Sequence, residues 1–205
     1  MDACNVGHPV SVIFAIRDFL GARDQRTGVG APGPNPEPRH PTTLRRANTP
    51  TSQRANMIVA VGTDHAGFAL RDIAMEAIRT VGHEVLDCGA YSMTPGDDYP
   101  DFASAVAIAV GDGRAERGVL VCGSGVGASI AANKFVGIRC ALCHDTFSAH
   151  QGVEDDSMNI IALGARVVGP SLAGELITTF LKASFSNAER HVRRLNKVKS
   201  FEAGR

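Results

Sequence analysis

From residue 57 onward the chain alternates between two textures, and that alternation restricts the fold more than any other feature. Short apolar runs end at glycine or at polar residues, and each is followed by a stretch with helical spacing. The run MIVAVG at 57–62 is continuously apolar, as a strand buried on both faces must be. Residues 67–80 place apolar side chains at 68, 70, 73, 74, 77 and 78, one face of a helix. Strands follow at 84–88, 118–122, 137–142 and 159–163. Helices are expected at 100–112, with Pro100 in the first turn, after the glycine turn at 123–127, at about 170–183 and at 187–200. Strict β–α alternation means a parallel sheet covered on both faces. The expected fold class is α/β: a Rossmann-like three-layer α/β/α domain with a five-stranded parallel sheet over 57–205, preceded by a disordered N-terminal extension over 1–56.

The extension differs in composition. Seven of the ten prolines lie within it, and its second half offers almost nothing apolar to bury, so turns and polyproline II are favoured over a core. The segment VSVIFAIRDFL at 10–20 lacks the basic n-region and the small-residue cleavage site of a signal peptide. Met57 opens directly onto a strand and reads as the effective start.

Charge and cysteine content exclude several function classes. With 21 basic and 21 acidic residues the chain lacks the basic face that nucleic acid or an anionic membrane surface demands. No apolar run approaches the roughly 18 residues of a membrane span. Five cysteines, at 4, 88, 122, 140 and 143, form neither a ligand set nor an even disulfide framework. They suit reduced thiols in a cytoplasmic protein, and no metal site is expected.

In an open parallel sheet, ligands bind beyond the carboxyl ends of the strands, near the switch in strand order. The first strand delivers Asp64 and His65 there, a pair that either caps a helix or enters the crevice. The third delivers Cys122, Gly123, Ser124, Gly125, Val126 and Gly127. Amides at such a turn point at one place and can hold a phosphate or an oxyanion, and a cysteine at the positive end of a helix is biased toward thiolate. The bland reading is a tight turn beside a small core residue. The fourth strand delivers His144 and Asp145, read as helix capping. The fifth delivers Arg166. In the C-terminal helix Arg190 and Arg194 are four apart and share a face, suited to one phosphate or simply to water.

Together GTDHAG at 62–67, DYP at 98–100, VCGSGVGASIAANK at 121–134, GIR at 137–139, GAR at 164–166 and ERHVRR at 189–194 resemble the type B ribose-5-phosphate isomerases. That family includes allose- and galactose-6-phosphate isomerases. The resemblance runs unbroken over about residues 57–201. It implies an aldose–ketose isomerase of a phosphorylated sugar, without metal or other cofactor, working as a homodimer or homotetramer with shared active sites. It implies Cys122 as the base between C1 and C2, with Ser124 in the catalytic set. The amides of Gly123, Gly125, Val126 and Gly127 would hold the enediolate oxygen. Asp64 and His65 would contact sugar and phosphate, and Arg166, Arg190 and Arg194, with His191 beside them, would bind phosphate. The chemistry agrees: a proton alpha to a carbonyl needs a positioned base and donors for the developing oxyanion.

One departure stands out. The family has a His-Asn pair before the fifth strand, the His opening the furanose ring. Here Asp155 stands at the His position and Asp156 at the Asn position. Either Asp155 opens the ring, or His144 or His150 replaces it, or the substrate is open-chain, such as a tetrose or tetrulose phosphate. A hexose phosphate, or a non-catalytic role in binding a phosphate ligand, is the alternative function.

Overall fold

The structure, a computed structural model, describes residues 56–202. The expected extension over 1–56 lies outside the described residues, but for Asn56.

Five parallel strands, β1 (Ile58–Thr63), β2 (Glu84–Asp87), β3 (Arg117–Cys122), β4 (Cys140–Leu142) and β5 (Ile160–Gly164), form one sheet in the order β2-β1-β3-β5-β4. Successive side chains of a strand face opposite layers. Val59, Val61, Val119, Val121, Ile161 and Leu163 pack on one side, with buried residues of α1 (Arg71–Thr80), α4 (Thr146–Asp156) and α5 (Pro170–Lys182). Ala60, Leu120, Cys122, Ile160 and Ala162 pack on the other, with α2 (Tyr99–Gly111) and α3 (Val126–Ala132). α6 (Glu189–Ser200) buries only His191. The expected three-layer α/β/α fold is therefore observed. Phe180, Leu163 and Ile161 are fully buried, and truncating such a side chain to alanine costs about 2–5 kcal/mol. Among the described residues, no helix is long and apolar enough to cross a membrane.

Two elements differ from their expected extent. The helix at 67–80 begins as a 3-10 turn, Phe68–Leu70, before α1. The fourth strand is shorter than 137–142. Gly137 is left-handed, at φ +79°, and the Arg139 N–H donates to the Asn159 side-chain oxygen at 2.8 Å instead of entering the ladder. Asn133 then pairs with Cys140 through both amide atoms, at 2.7 and 2.9 Å, much as a neighbouring strand would. Asp145 caps α4 as expected, its carboxylate accepting the Ser148 N–H at 2.7 Å. Glu154, Asp155 and Asp156 form the last turn of that helix.

Candidate active site

The three central strands set the site. The order in which strands are added switches sides at β1, with β2 on one side and β3 on the other, and such a switch leaves a crevice at the carboxyl edge. The Asp64 N–H donates to the Val121 carbonyl at 3.3 Å, joining the β1 exit to β3. The N–H groups of Ala165 and Arg166 donate to the carbonyls of Cys122 and Gly123 at 2.9 and 3.0 Å, joining the β5 exit to β3. The turns touch at Gly123, where an added Cβ would lie 3.4 Å from Ala66 and 3.6 Å from the Arg166 guanidinium.

A cavity of about 350 Å³ opens here, lined by Asp64, His65, Ala66, Tyr99, Cys122, Gly123, Ser124, Gly127, Arg166 and Val167. Cys122 is 5% exposed, and its sulfur accepts the Gly125 N–H at 3.1 Å. Gly125 is left-handed, at φ +81°, the conformation that turns its amide back toward the strand end. It favours glycine because a Cβ is penalised there. The Val126 N–H donates to the Ser124 hydroxyl oxygen at 3.3 Å, so Ser124 supports the start of α3 while lining the cavity. Gly125 and Val126 themselves do not line it.

Asp64 is buried, and its Oδ1 accepts the Gly67 N–H at 2.7 Å, so this residue both shapes the turn and reaches the cavity. His65 donates its backbone N–H to Asp97 Oδ1 at 2.8 Å, and its Nδ1 lies 2.7 Å from the same oxygen. Chiefly through that ring hydrogen bond, its pKa is raised. Asp97 and Tyr99 were not anticipated as site residues. Tyr99 lies in the DYP motif and its ring packs on Gly127, where an added Cβ would meet it at 2.7 Å. Asp97 carries no periodicity or motif that ties it to His65.

The remaining candidates stand apart from this cavity. His191 is 3% exposed. Its Nδ1 lies 2.7 Å from the Ser186 hydroxyl and 3.2 Å from Asp155 Oδ1, and its Nε2 accepts the Arg190 Nε–H at 2.8 Å. Gln151 donates to Asp155 Oδ2 at 2.8 Å. Asp156 lines a separate groove of about 430 Å³ beside Leu195 and Val198 of α6. Arg194 is exposed on α6. Neither His144 nor His150 lines the Cys122 cavity; His150 Nδ1 lies 3.1 Å from Glu154 Oε2.

Cys140 and Cys143 belong to opposite core layers, so the CxxC-like spacing forms no pair. Burial pushes their thiols up to about 12 and about 11. Among the described residues, no group of three or more His, Cys, Asp or Glu is placed to hold a metal ion.

Residues 59–198 match the model of a family described as ribose/galactose isomerase. The chain belongs to the ribose/galactose isomerase family. It is 40% identical to ribose-5-phosphate isomerase B of Escherichia coli, over 72% of this chain and 97% of that protein. It is 43% identical to D-erythrulose-4-phosphate isomerase of Pectobacterium atrosepticum, over 62% and 84%. The solved structure of type B ribose 5-phosphate isomerase from Trypanosoma cruzi aligns with a TM-score of 0.70 at 43% identity, covering 72% of this chain and 99% of that one. As a member of this family, the chain is a sugar-phosphate isomerase.

Proposed function

We propose that the cavity at Cys122 interconverts ribose 5-phosphate and ribulose 5-phosphate through an enediolate. The observation that carries this reading is a sulfur at the end of a central strand, receiving an amide hydrogen, in a cavity that also holds His65 and Arg166. The sulfur takes the proton from C2 of the aldose, and the carbonyl oxygen at C1 gains charge. The proton returns to C1, the hydrogen of the C2 hydroxyl passes to the oxygen on C1, and the ketose results. Base and oxyanion donors act together in such a transfer, and one oxyanion donor is worth about 3 kcal/mol. The amides of Gly123, Ser124 and Gly127, the turn residues that line the cavity, supply those donors, and Ser124 holds the turn against α3.

Asp64 contacts the sugar, and His65 and Arg166 the phosphate. The phosphate is remote from the reacting carbons, so its clamp contributes orientation and binding. Arg190, His191 and Arg194 lie on α6, away from their own chain's cavity. In a homodimer or homotetramer they serve the cavity of a neighbouring subunit. Val126 and Ile130, 46% and 57% exposed on α3 directly after the Cys122 turn, offer an apolar face for that neighbour. The reduced thiols suit a cytoplasmic enzyme.

One observation favours a second substrate. Both oxygens of Asp155 have partners, Gln151 and His191, which draws this carboxylate away from ring opening. A four-carbon sugar phosphorylated on O4 cannot close a furanose ring, because the oxygen that would close it is esterified. Erythrulose 4-phosphate, the substrate named for the Pectobacterium relative, is such a compound. Initial rates on four-, five- and six-carbon aldose and ketose phosphates test both readings. The highest kcat/KM on ribose 5-phosphate supports the first, the highest on the four-carbon pair supports the second, and no turnover of any of them refutes both.

A further inference from the structure

We infer that Asp97 is the positioning residue of His65: its carboxylate holds the imidazole by Nδ1 and leaves Nε2 as the nitrogen that meets the anionic group of the substrate. The inference rests on the reading that the Cys122 cavity binds a sugar phosphate.

The geometry is specific. The backbone N–H and the ring Nδ1 of His65 converge on one oxygen, Asp97 Oδ1, at 2.8 and 2.7 Å. Two donors from one residue on a single acceptor fix both the chain position and the ring. Because Nδ1 must carry a hydrogen to bond a carboxylate, Nε2 is the nitrogen left for a ligand. The His65 side chain is 35% exposed and lines the cavity, whereas that of Asp97 is 13% exposed. The second oxygen of Asp97 is buried and has no hydrogen-bond partner among the described residues, so the imidazole is the group that answers this carboxylate's charge.

The charged and titratable groups that face His65 are few. Asp97 favours the imidazolium most strongly and Asp64 adds to it. Cys122 and Arg166 share the cavity, with Tyr99 on its wall, and Arg166 opposes a second cation. Burial also disfavours the charge, but the net shift is upward. Asp97 therefore extends to higher pH the range in which Nε2 carries a hydrogen. A doubly protonated imidazole can donate to phosphate while bonded to Asp97; a neutral one held by Nδ1 presents only a lone pair, which repels an anion.

The test compares the full-length protein with Asp97→Asn, which keeps the shape and an acceptor but removes the charge, and with Asp97→Glu, which restores the charge. His65 is titrated by NMR of its ring carbons, assigned with His65→Gln, and KM for the preferred sugar phosphate is measured at about pH 5.5 and about pH 8. The expected result is a lower His65 midpoint in Asp97→Asn and a several-fold higher KM at the upper pH only, with Asp97→Glu moving both back. A purely structural role would raise KM at both pH values. An unchanged midpoint overturns the pairing, and a lowered midpoint with KM unaltered at both pH values overturns the role in binding. The NMR arm needs no turnover, so it decides the pairing even if the isomerase reading itself fails.

Discussion

The sulfur of Cys122 and the backbone N–H of Gly125 are joined by a 3.1 Å hydrogen bond across one turn. A strand that ends at a cysteine and a left-handed glycine three residues later create it together. An amide donor held on the sulfur suits an atom that carries negative charge between proton transfers, and it restricts where the sulfur points.

Gly125→Ala should therefore affect stability and catalysis together. A left-handed non-glycine residue costs about 1–2 kcal/mol, and the added Cβ would lie 2.4 Å from the Leu142 Cδ1 and 2.9 Å from the Leu163 carbonyl carbon. Urea unfolding should show a loss of at least that size, and kcat should fall more than KM rises. A variant with parental stability and kcat would refute the described turn.

Arg166 should act through binding. Hydrogen bonds to a charged group contribute about 1.5–3 kcal/mol, so Arg166→Ala should raise KM roughly ten- to hundred-fold with a smaller change in kcat. Steady-state kinetics at constant ionic strength measures the split. A loss confined to kcat would place Arg166 in the chemistry instead.

Thiol chemistry should single out Cys122 among the described cysteines. Burial raises the pKa of Cys88, Cys140 and Cys143, and an ionised thiol is the reactive form; Cys122 opens onto the cavity. Iodoacetamide at neutral pH should label Cys122 first, with loss of activity, and a sugar phosphate should slow both. Peptide mass spectrometry identifies the site; faster labelling of Cys140 or Cys143 would contradict the assignment.

Asp155→His tests the substrate readings. If ring opening limits a five-carbon substrate, histidine at this position should raise kcat on ribose 5-phosphate and leave a four-carbon substrate little changed. Equal loss on both would instead assign Asp155 to supporting His191, 3.2 Å away.

Much of this was legible along the chain because strands and glycine turns are local. The apolar run into Cys122 and the glycines after it place the sulfur at the sheet edge with no knowledge of packing. Asp64, His65 and Arg166 follow from the same rule, since each ends a buried strand. The Asp97 contact was not legible: it joins residues 32 apart through a segment with no hydrophobic period. The surroundings of Asp155 were half legible. Gln151 lies one helical turn before it, but its approach to His191 arises only when α6 returns to α4. The length of β4 depended on Asn133 and Asn159, whose side chains take hydrogen bonds that an apolar pattern assigns to the ladder.

The most direct test of the central claim is isomerisation in deuterium oxide, followed by proton NMR of the sugar phosphate. With the parent protein, deuterium should enter the carbon-bound position next to the carbonyl as the reaction proceeds. With Cys122→Ala, both exchange and turnover should fall by about 10²–10⁴-fold, while binding of the sugar phosphate, followed by its protection against thermal unfolding, persists. Exchange and turnover at the parental rate in Cys122→Ala would contradict a sulfur base.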